Sequence, residues 1–251
     1  MRSDRSARHF VAVGITLAIA SLAAPASRAQ SVFAESWELP PISDGASTST
    51  LPAGWHGFGG SPTIQHPTGT VEFNQTNPLA APASGSQILA LSGVNVGIDS
   101  VTGELIQSGS IYTLSGAIGA KKTGSSTSWS LQLWADTNAN GLFDGSSGDT
   151  FIGQQFGTSG TAVNPSPGNW TLNSFTSAPL TAPTLVGKHL IVFLNNFGTG
   201  ATYYDSISVT ASATPEPGSL ALLGASALTG FGLLRRRKEE LFRKRNHFWA
   251  K

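Results

Sequence analysis

No stretch of twelve or more residues between about position 31 and position 212 carries apolar positions at helical spacing. In its place come short runs rich in Val, Ile, Leu, Phe, Tyr and Trp, separated by Gly, Ser, Thr, Asn and Pro. Runs of that length, bounded by turn formers, can bury a core only as strands. The pattern predicts strands at Val32–Leu39, Thr70–Asn74, Gln87–Leu91, Glu104–Gln107, Ile111–Ile118, Trp129–Ala135, Thr150–Phe156, Trp170–Thr176, His189–Asn195 and Tyr203–Thr210. Trp129, Leu131 and Leu133 alternate with Ser130 and Gln132, which marks a strand with one wet face. Leu190–Leu194 is apolar at every position and should be a central strand. About ten short strands at this spacing predict an all-β fold, a jelly-roll β-sandwich. No period of 20 to 50 residues is visible, which excludes a solenoid or propeller.

Both ends read differently from this body. Residues 1–29 place Arg2, Arg5 and Arg8 before the apolar stretch Phe10–Ala24, then Ser27-Arg28-Ala29 ahead of Gln30, the layout of a secretory signal peptide. The mature chain is expected to begin at Gln30 or Ser31. Near the other end, Pro215-Glu216-Pro217 precedes an uncharged run from Gly218 to Leu234, followed by Arg235, Arg236, Arg237 and Lys238. The prolines cannot continue a helix, so a single transmembrane helix is expected over 218–234, short but long enough to cross a hydrocarbon core. The basic cluster behind it would stay cytoplasmic, and the basic, aromatic tail over 235–251 would lie on an anionic inner leaflet. A helix buried in the domain is the competing reading, but it should show polar positions at a 3.6-residue period, and only Ser and Thr interrupt the run.

Charge follows the same division. Of 15 Lys/Arg and 14 Asp/Glu, the first 30 residues hold four basic and one acidic, and residues 235–251 hold eight and two. The body keeps three basic and eleven acidic residues, a net charge of −8. Such a surface repels nucleic acid, which is excluded as a partner, and suits solubility outside the cell or the binding of cations. There is no cysteine, so no disulfide framework supports the exported domain.

The tripeptide Pro215-Glu216-Pro217, the apolar helix and the arginines resemble the PEP-CTERM sorting signal of exported proteins in Gram-negative bacteria that make extracellular polysaccharide. The resemblance implies recognition of the tripeptide by an exosortase-type membrane enzyme and delivery of the body to the cell surface. Within the body, FAESWELPP, LPAGW, GSQILALSG, GSIYTLSGAIGA, SLQLWAD, LVGKHLIVFLNN and YYDSISVTA are similar in order to ectodomains that carry such signals. These in turn resemble galactose-binding-like jelly rolls and carbohydrate-binding modules. The implied organisation is an ectodomain over 31–211, a linker with the sorting tripeptide over 212–217, and the anchor. The resemblance also implies a structural calcium between the first and last strands, where Glu35 and Asp205 fall; a hydrogen-bonded edge carboxylate is the competing reading.

Three candidate chemistries remain. In DTNANGLFDGSSGD, Asp136, Asn138, Asn140 and Gly141 match positions 1, 3, 5 and 6 of a calcium loop, Leu142 would supply a carbonyl, and Asp144 stands at position 9. Ser147 occupies position 12 where a bidentate Glu is expected, and the next acid is Asp149, so the expectation is a calcium-binding hairpin loop and not an EF-hand. The same residues also favour plain turns. A sugar-stacking platform needs an exposed ring beside polar groups. Trp134, opposite in phase to Trp129, is the first choice, and Trp55 with His56 the second, against core filling. Catalysis finds no nucleophile elbow, Walker loop or HExxH. His56, His66 and His189 stand in unrelated contexts, and Glu35, Glu38, Glu72 and Glu104 form a pool of carboxylates that could meet only in space. The expectation is a non-catalytic surface or matrix protein binding exopolysaccharide and calcium; the alternatives are a carbohydrate-active enzyme on the same scaffold and an adhesin with no small ligand.

Overall fold

The computed structural model describes residues 29–75, 79, 83–123, 128–158 and 160–213. Residues 1–28 of the expected leader, the sorting tripeptide, the anchor segment 218–234 and the tail lie outside them. Among the described residues no helix is long and apolar enough to cross a membrane.

The described residues form twelve strands: β1 (Gln30–Glu35), β2 (Ser47–Thr48), β3 (Trp55–Phe58), β4 (Thr63–Gln65), β5 (Ile88–Ser92), β6 (Val96–Leu105), β7 (Ser110–Gly119), β8 (Trp129–Asp136), β9 (Thr150–Gly157), β10 (Trp170–Thr176), β11 (His189–Asn196) and β12 (Ala201–Ala213). They form two sheets with every pairing antiparallel. One runs β10-β7-β12-β5-β4-β2, with β1 also paired to β12; the other runs β3-β6-β11-β8-β9. Inward side chains of both interdigitate in one core, including Trp37, Trp55, Ile98, Leu114, Trp129, Leu131, Val192 and Tyr204. This is the expected all-β sandwich, and β11, the uniformly apolar run, is central in the five-stranded sheet as its composition requires.

Several boundaries differ from the expectation. Thr70–Asn74 is not a strand: a 3₁₀ turn covers Gly69–Val71, where Gly69 sits at φ 52°. Phe73 then packs with Leu79, Ala83, Ile88, Ala90, Ala117, Trp170 and Tyr203 in a second cluster on the seven-stranded sheet. The apolar pattern there anchors a loop. Lys121 stabilises this cover through Glu72 and Gln65, with its ammonium 5.0 Å from the Tyr203 ring centre. Glu104 closes the long strand β6 and does not begin a short one. Val32–Leu39 ends early at Glu35 because Trp37 turns to φ 64° to bury its indole in the core. Ser212 and Ala213, expected as linker, extend β12 opposite Ile111 and Ser110.

The edge of β12 has one break that matters below. β5 pairs with residues 201–204 and β1 with residues 207–211 on that side, and the register against β7 shifts between Asp205 and Ser208. At the break Ser206 takes φ 52°, and an open recess of about 390 Å³ is lined by Glu35, Ser36, Ser84 and Ser206.

Candidate functional site

Residues of even number in β6 and β11 and of odd number in β8 point into the core, so their neighbours face outward across the five-stranded sheet. The cross-strand registers set these outward residues in rows. One row holds Phe58, Gly97, Asn195, Ser130 and Phe156; the next holds His56, Asp99, Phe193, Gln132 and Gln154; the third includes Val101, Ile191, Trp134 and Phe151. Phe58 stacks on Phe193 at 5.0 Å between ring centres, Phe193 meets Phe143 at 4.5 Å, and Trp134 touches both Phe143 at 5.2 Å and Phe151 at 5.0 Å. Five rings from β3, β8, β9, β11 and the β8–β9 loop thus make one aromatic surface. Gly97 is required beneath it, since a Cβ there would stand 2.1 Å from Phe58 Cζ.

Polar groups run through the same surface. The Trp134 indole donates to Gln132 Oε1 at 2.8 Å, and Gln132 Nε2 donates to Ser130 Oγ at 2.9 Å. Asn195 Oδ1, in the adjacent row, is buried with no hydrogen-bond partner. Asp99 is buried in front of Phe193, its Oδ2 3.5 Å from Nδ1 of the exposed His56. Burial pushes the Asp99 carboxyl above its usual range, and His56 opposes that rise. The surface therefore offers rings for stacking, carboxamides for hydroxyl or N–H groups, and one buried carboxyl beside a histidine.

The sequence-derived candidates separate here. Trp134 lies on this surface, half-buried among its neighbours, and His56 borders it. Trp55 does not: only 6% exposed, it packs in the core against Phe33 and Trp37 and donates its indole N–H to Glu35 Oε2. An alternating strand sends Trp55 and His56 to opposite faces, so the two could not have served one platform. Asp99, Phe58, Phe193, Phe143, Gln132 and Asn195 were not among the candidates; the signal for Asp99 was its phase opposite Ile98 in a segment not read as a strand.

The carboxylate pool is dispersed. Glu72 is held by Lys121, Glu104 accepts from the Tyr112 hydroxyl at 3.4 Å, and Glu38 accepts the Ser86 and Gln87 amides. Glu35 accepts from the Ser36 and Trp37 amides as well as Trp55. Asp205, fully buried at the break in β12, accepts from the Ser84 and Ser206 amides, each at 2.6 Å. Its pKa is pushed up to about 8, chiefly by burial, with Glu38 and Glu35 adding to the rise against the two amides. Glu35 and Asp205 are thus hydrogen-bonded carboxylates flanking the recess. His66 and His189 face the carbonyls of Ile42 and Thr102, far from any shared function.

In the loop after β8, Asp136 is fully buried and accepts the Asn140 and Gly141 amides at 3.3 and 3.0 Å. Asn138 and Asn140 both turn carboxamide N–H groups to Asp144 Oδ2, and Asp149 Oδ2 accepts the Asp144 amide at 2.7 Å. Leu142 donates its amide to Asn140 Oδ1 and has an exposed side chain. Burial and the nearby Asp136 and Asp144 raise the Asp149 pKa, against the Asp144 amide.

Comparison with known proteins gives the scaffold a context. A Stig cyclase, Fisc, from Fischerella sp. TAU, solved with (3Z)-3-(1-methyl-2-pyrrolidinylidene)-3H-indole, is 17% identical and superposes with a TM-score of 0.57, covering 74% of this chain and all of its own. A cyclase from the same organism, with 4-(1H-indol-3-yl)butan-2-one, gives 17% identity, 74% and 99% coverage and a TM-score of 0.56. A CBM22-1 xylan-binding domain from Paenibacillus barcinonensis Xyn10C is 13% identical over 74% of this chain and 97% of its own, with a TM-score of 0.43. None of the curated protein sequences matches the chain. Residues 213–238 match the PEP-CTERM protein-sorting motif, which marks a protein for export and for sorting by an exosortase-type membrane enzyme. Residues 29–210, which span the described sandwich, match the model of the HpiC1 cyclase, and the chain belongs to the HpiC1-like family.

Proposed function

We propose that this chain is an exported surface or matrix protein whose HpiC1-like sandwich binds extracellular polysaccharide on the outer face of its five-stranded sheet, without transforming it. The observation that carries the reading is the joined surface of Phe58, Phe193, Phe143, Trp134 and Phe151 with Ser130, Gln132 and Asn195 set among the rings. Sugar rings present apolar faces to aromatic side chains and hydroxyls to carboxamides, and the unpartnered Asn195 Oδ1 is an acceptor awaiting such a donor. The leader pattern of residues 1–29 and the helix expected over 218–234 support delivery across the inner membrane with a C-terminal anchor.

Glycan-array binding of the full-length chain tests this. Trp134→Ala is expected to weaken binding of a positive glycan about tenfold, equivalent to about 1.4 kcal/mol, and to lower the unfolding temperature little. Binding unaffected by that substitution would move the ligand elsewhere, and no binding to any polysaccharide would leave the adhesin reading.

Asp99 favours a second, catalytic reading. A carboxyl whose pKa burial raises, set beside stacked rings, is placed to give a proton to a π-rich substrate held against them, and the family is named for a cyclase. In that case Asp99→Asn would leave binding of an indole probe such as 4-(1H-indol-3-yl)butan-2-one intact while abolishing any turnover detected by mass spectrometry. A carbohydrate-active version of the same reading would release reducing ends from the polysaccharide, again lost in Asp99→Asn.

A further inference from the structure

We propose that the outer face of the five-stranded sheet selects a polysaccharide whose sugars carry free, protonated amino groups over neutral and uronic-acid polymers, with Asp99 meeting the ammonium and the aromatic rings meeting the sugar faces. The selection rests on the polysaccharide-binding role given to that face and adds the chemistry of its ligand.

Charge is the first observation. The three rows of outward residues hold Asp99 and no Lys or Arg. The Asp99 side chain is only 8% exposed, so water and salt screen its charge weakly. Asp149, where the β8–β9 loop returns to the sheet, is close enough to push the Asp99 carboxyl further up, so a second acid adds to the negative field beside the rings. The described residues contain no Arg, and their three lysines are placed elsewhere. Lys121 reaches Glu72 and Gln65 over the seven-stranded sheet, Lys122 donates to the Thr70 carbonyl in the same cover, and Lys188 precedes β11 beyond the third row. His56 is the one side chain of the rows able to carry a positive charge, and at 3.5 Å from Asp99 it stands at the outer limit of a hydrogen bond.

Hydrogen-bonding capacity points the same way. Gln132 spends both ends of its carboxamide on Ser130 and on the Trp134 indole, which uses the indole's single donor. The face holds accepting capacity in reserve: the Asp99 carboxyl, the unpartnered Asn195 Oδ1 and the π faces of the rings. An ammonium group brings three donors and a positive charge, and both carboxylate and ring attract it. An N-acetyl group gives up that charge, and a uronate brings a negative charge to a place where no lysine or arginine meets it. Size follows from the sheet. The joined rings run from β3 to β9, four inter-strand spacings or about 19 Å at the usual strand separation, which holds several sugar rings in line and suits a polymer segment better than a single sugar.

Calorimetry on the detergent-purified full-length chain tests the selection with three oligomers of equal length: glucosamine with free amines, its N-acetylated form and a uronate. At about pH 6.5, where an amine is largely charged, the free-amine oligomer should bind about tenfold tighter than the N-acetylated one, and the uronate should not bind. Asp99→Asn should bring the first two affinities together. Asp44→Asn removes the same charge from an exposed position outside the three rows and should leave the margin unchanged. Gln154→Lys, at an exposed position in the Asp99 row, does not disturb the core and should also cut the margin. Equal losses in Asp44→Asn and Asp99→Asn, or a margin that survives both Asp99→Asn and Gln154→Lys, would mean that a polycation merely gathers on the acidic body, and would overturn the proposal. An N-acetylated oligomer bound as tightly as the free-amine one would overturn it too, and would leave the polysaccharide reading in place. Binding of none of the three would remove the selection, and a blank glycan array besides would remove that reading with it.

Discussion

Trp129→Ala is expected to lower the unfolding free energy by about 3–5 kcal/mol, the range for emptying a buried tryptophan site. Against a total stability of about 5–15 kcal/mol for a domain of this kind, that is a large share. The indole is fully buried between the sheets, and its N–H donates to Asn164 Oδ1 at 2.6 Å, tying the loop before β10 to the core. Truncation removes the packing and the tether together. Gly157 cannot move in to compensate, because it already lies against that ring. Five residues along the same strand, Trp134→Ala removes a half-buried ring from the outer face and should cost about 1 kcal/mol or less of stability while weakening ligand binding. Urea unfolding of the two variants checks the contrast. Equal losses would mean that the two faces of β8 are not divided as described.

The same division explains how much of the molecule could be read in advance. Strands β8 and β11 were legible because each buries one or both faces with apolar residues at a strand period, and the phase of Trp134 against Trp129 placed it outward. β6 was not legible although it runs for ten residues. Its outward face carries Gly97 and Asp99, which read as turn residues in isolation; both are there for the surface they support, one yielding room to Phe58 and the other buried beside His56. Strands β2, β3 and β4 have only two to four residues each, and their pairing partners, not their composition, hold them extended. The Thr70–Asn74 run failed for the opposite reason. Its alternation was real, but Phe73 serves a tertiary contact across the outside of a sheet that local sequence cannot show. The aromatic surface draws its rings from four strands and a loop, so its assembly is a property of register and not of any motif.

Between about pH 4 and pH 8 the protein is expected to lose stability as pH rises, and Asp205 is expected to supply the steepest single contribution. With a folded-state pKa of about 8, the buried carboxyl keeps a proton that the unfolded chain, with an ordinary carboxyl near 3.8, has already released. The folded state thus binds more protons across that window, and stability must fall with pH until the folded pKa is passed, after which it levels. The slope from this one group is bounded at one proton, about 1.4 kcal/mol per pH unit. Asp99 and Asp149, also raised by burial, push in the same direction, so the decisive quantity is a difference between proteins. Asp205→Asn removes the titrating proton and should flatten the profile, at a cost that does not vary with pH, because its Nδ2 donor replaces one of the two oxygens that accept from the Ser84 and Ser206 amides. Chelator in every sample keeps cations from neutralising Glu35 at the recess. Urea titrations at pH 4, 6 and 8 suffice. Parallel profiles for the wild type and the variant would show that Asp205 is ionised throughout, its charge borne by the two amides alone.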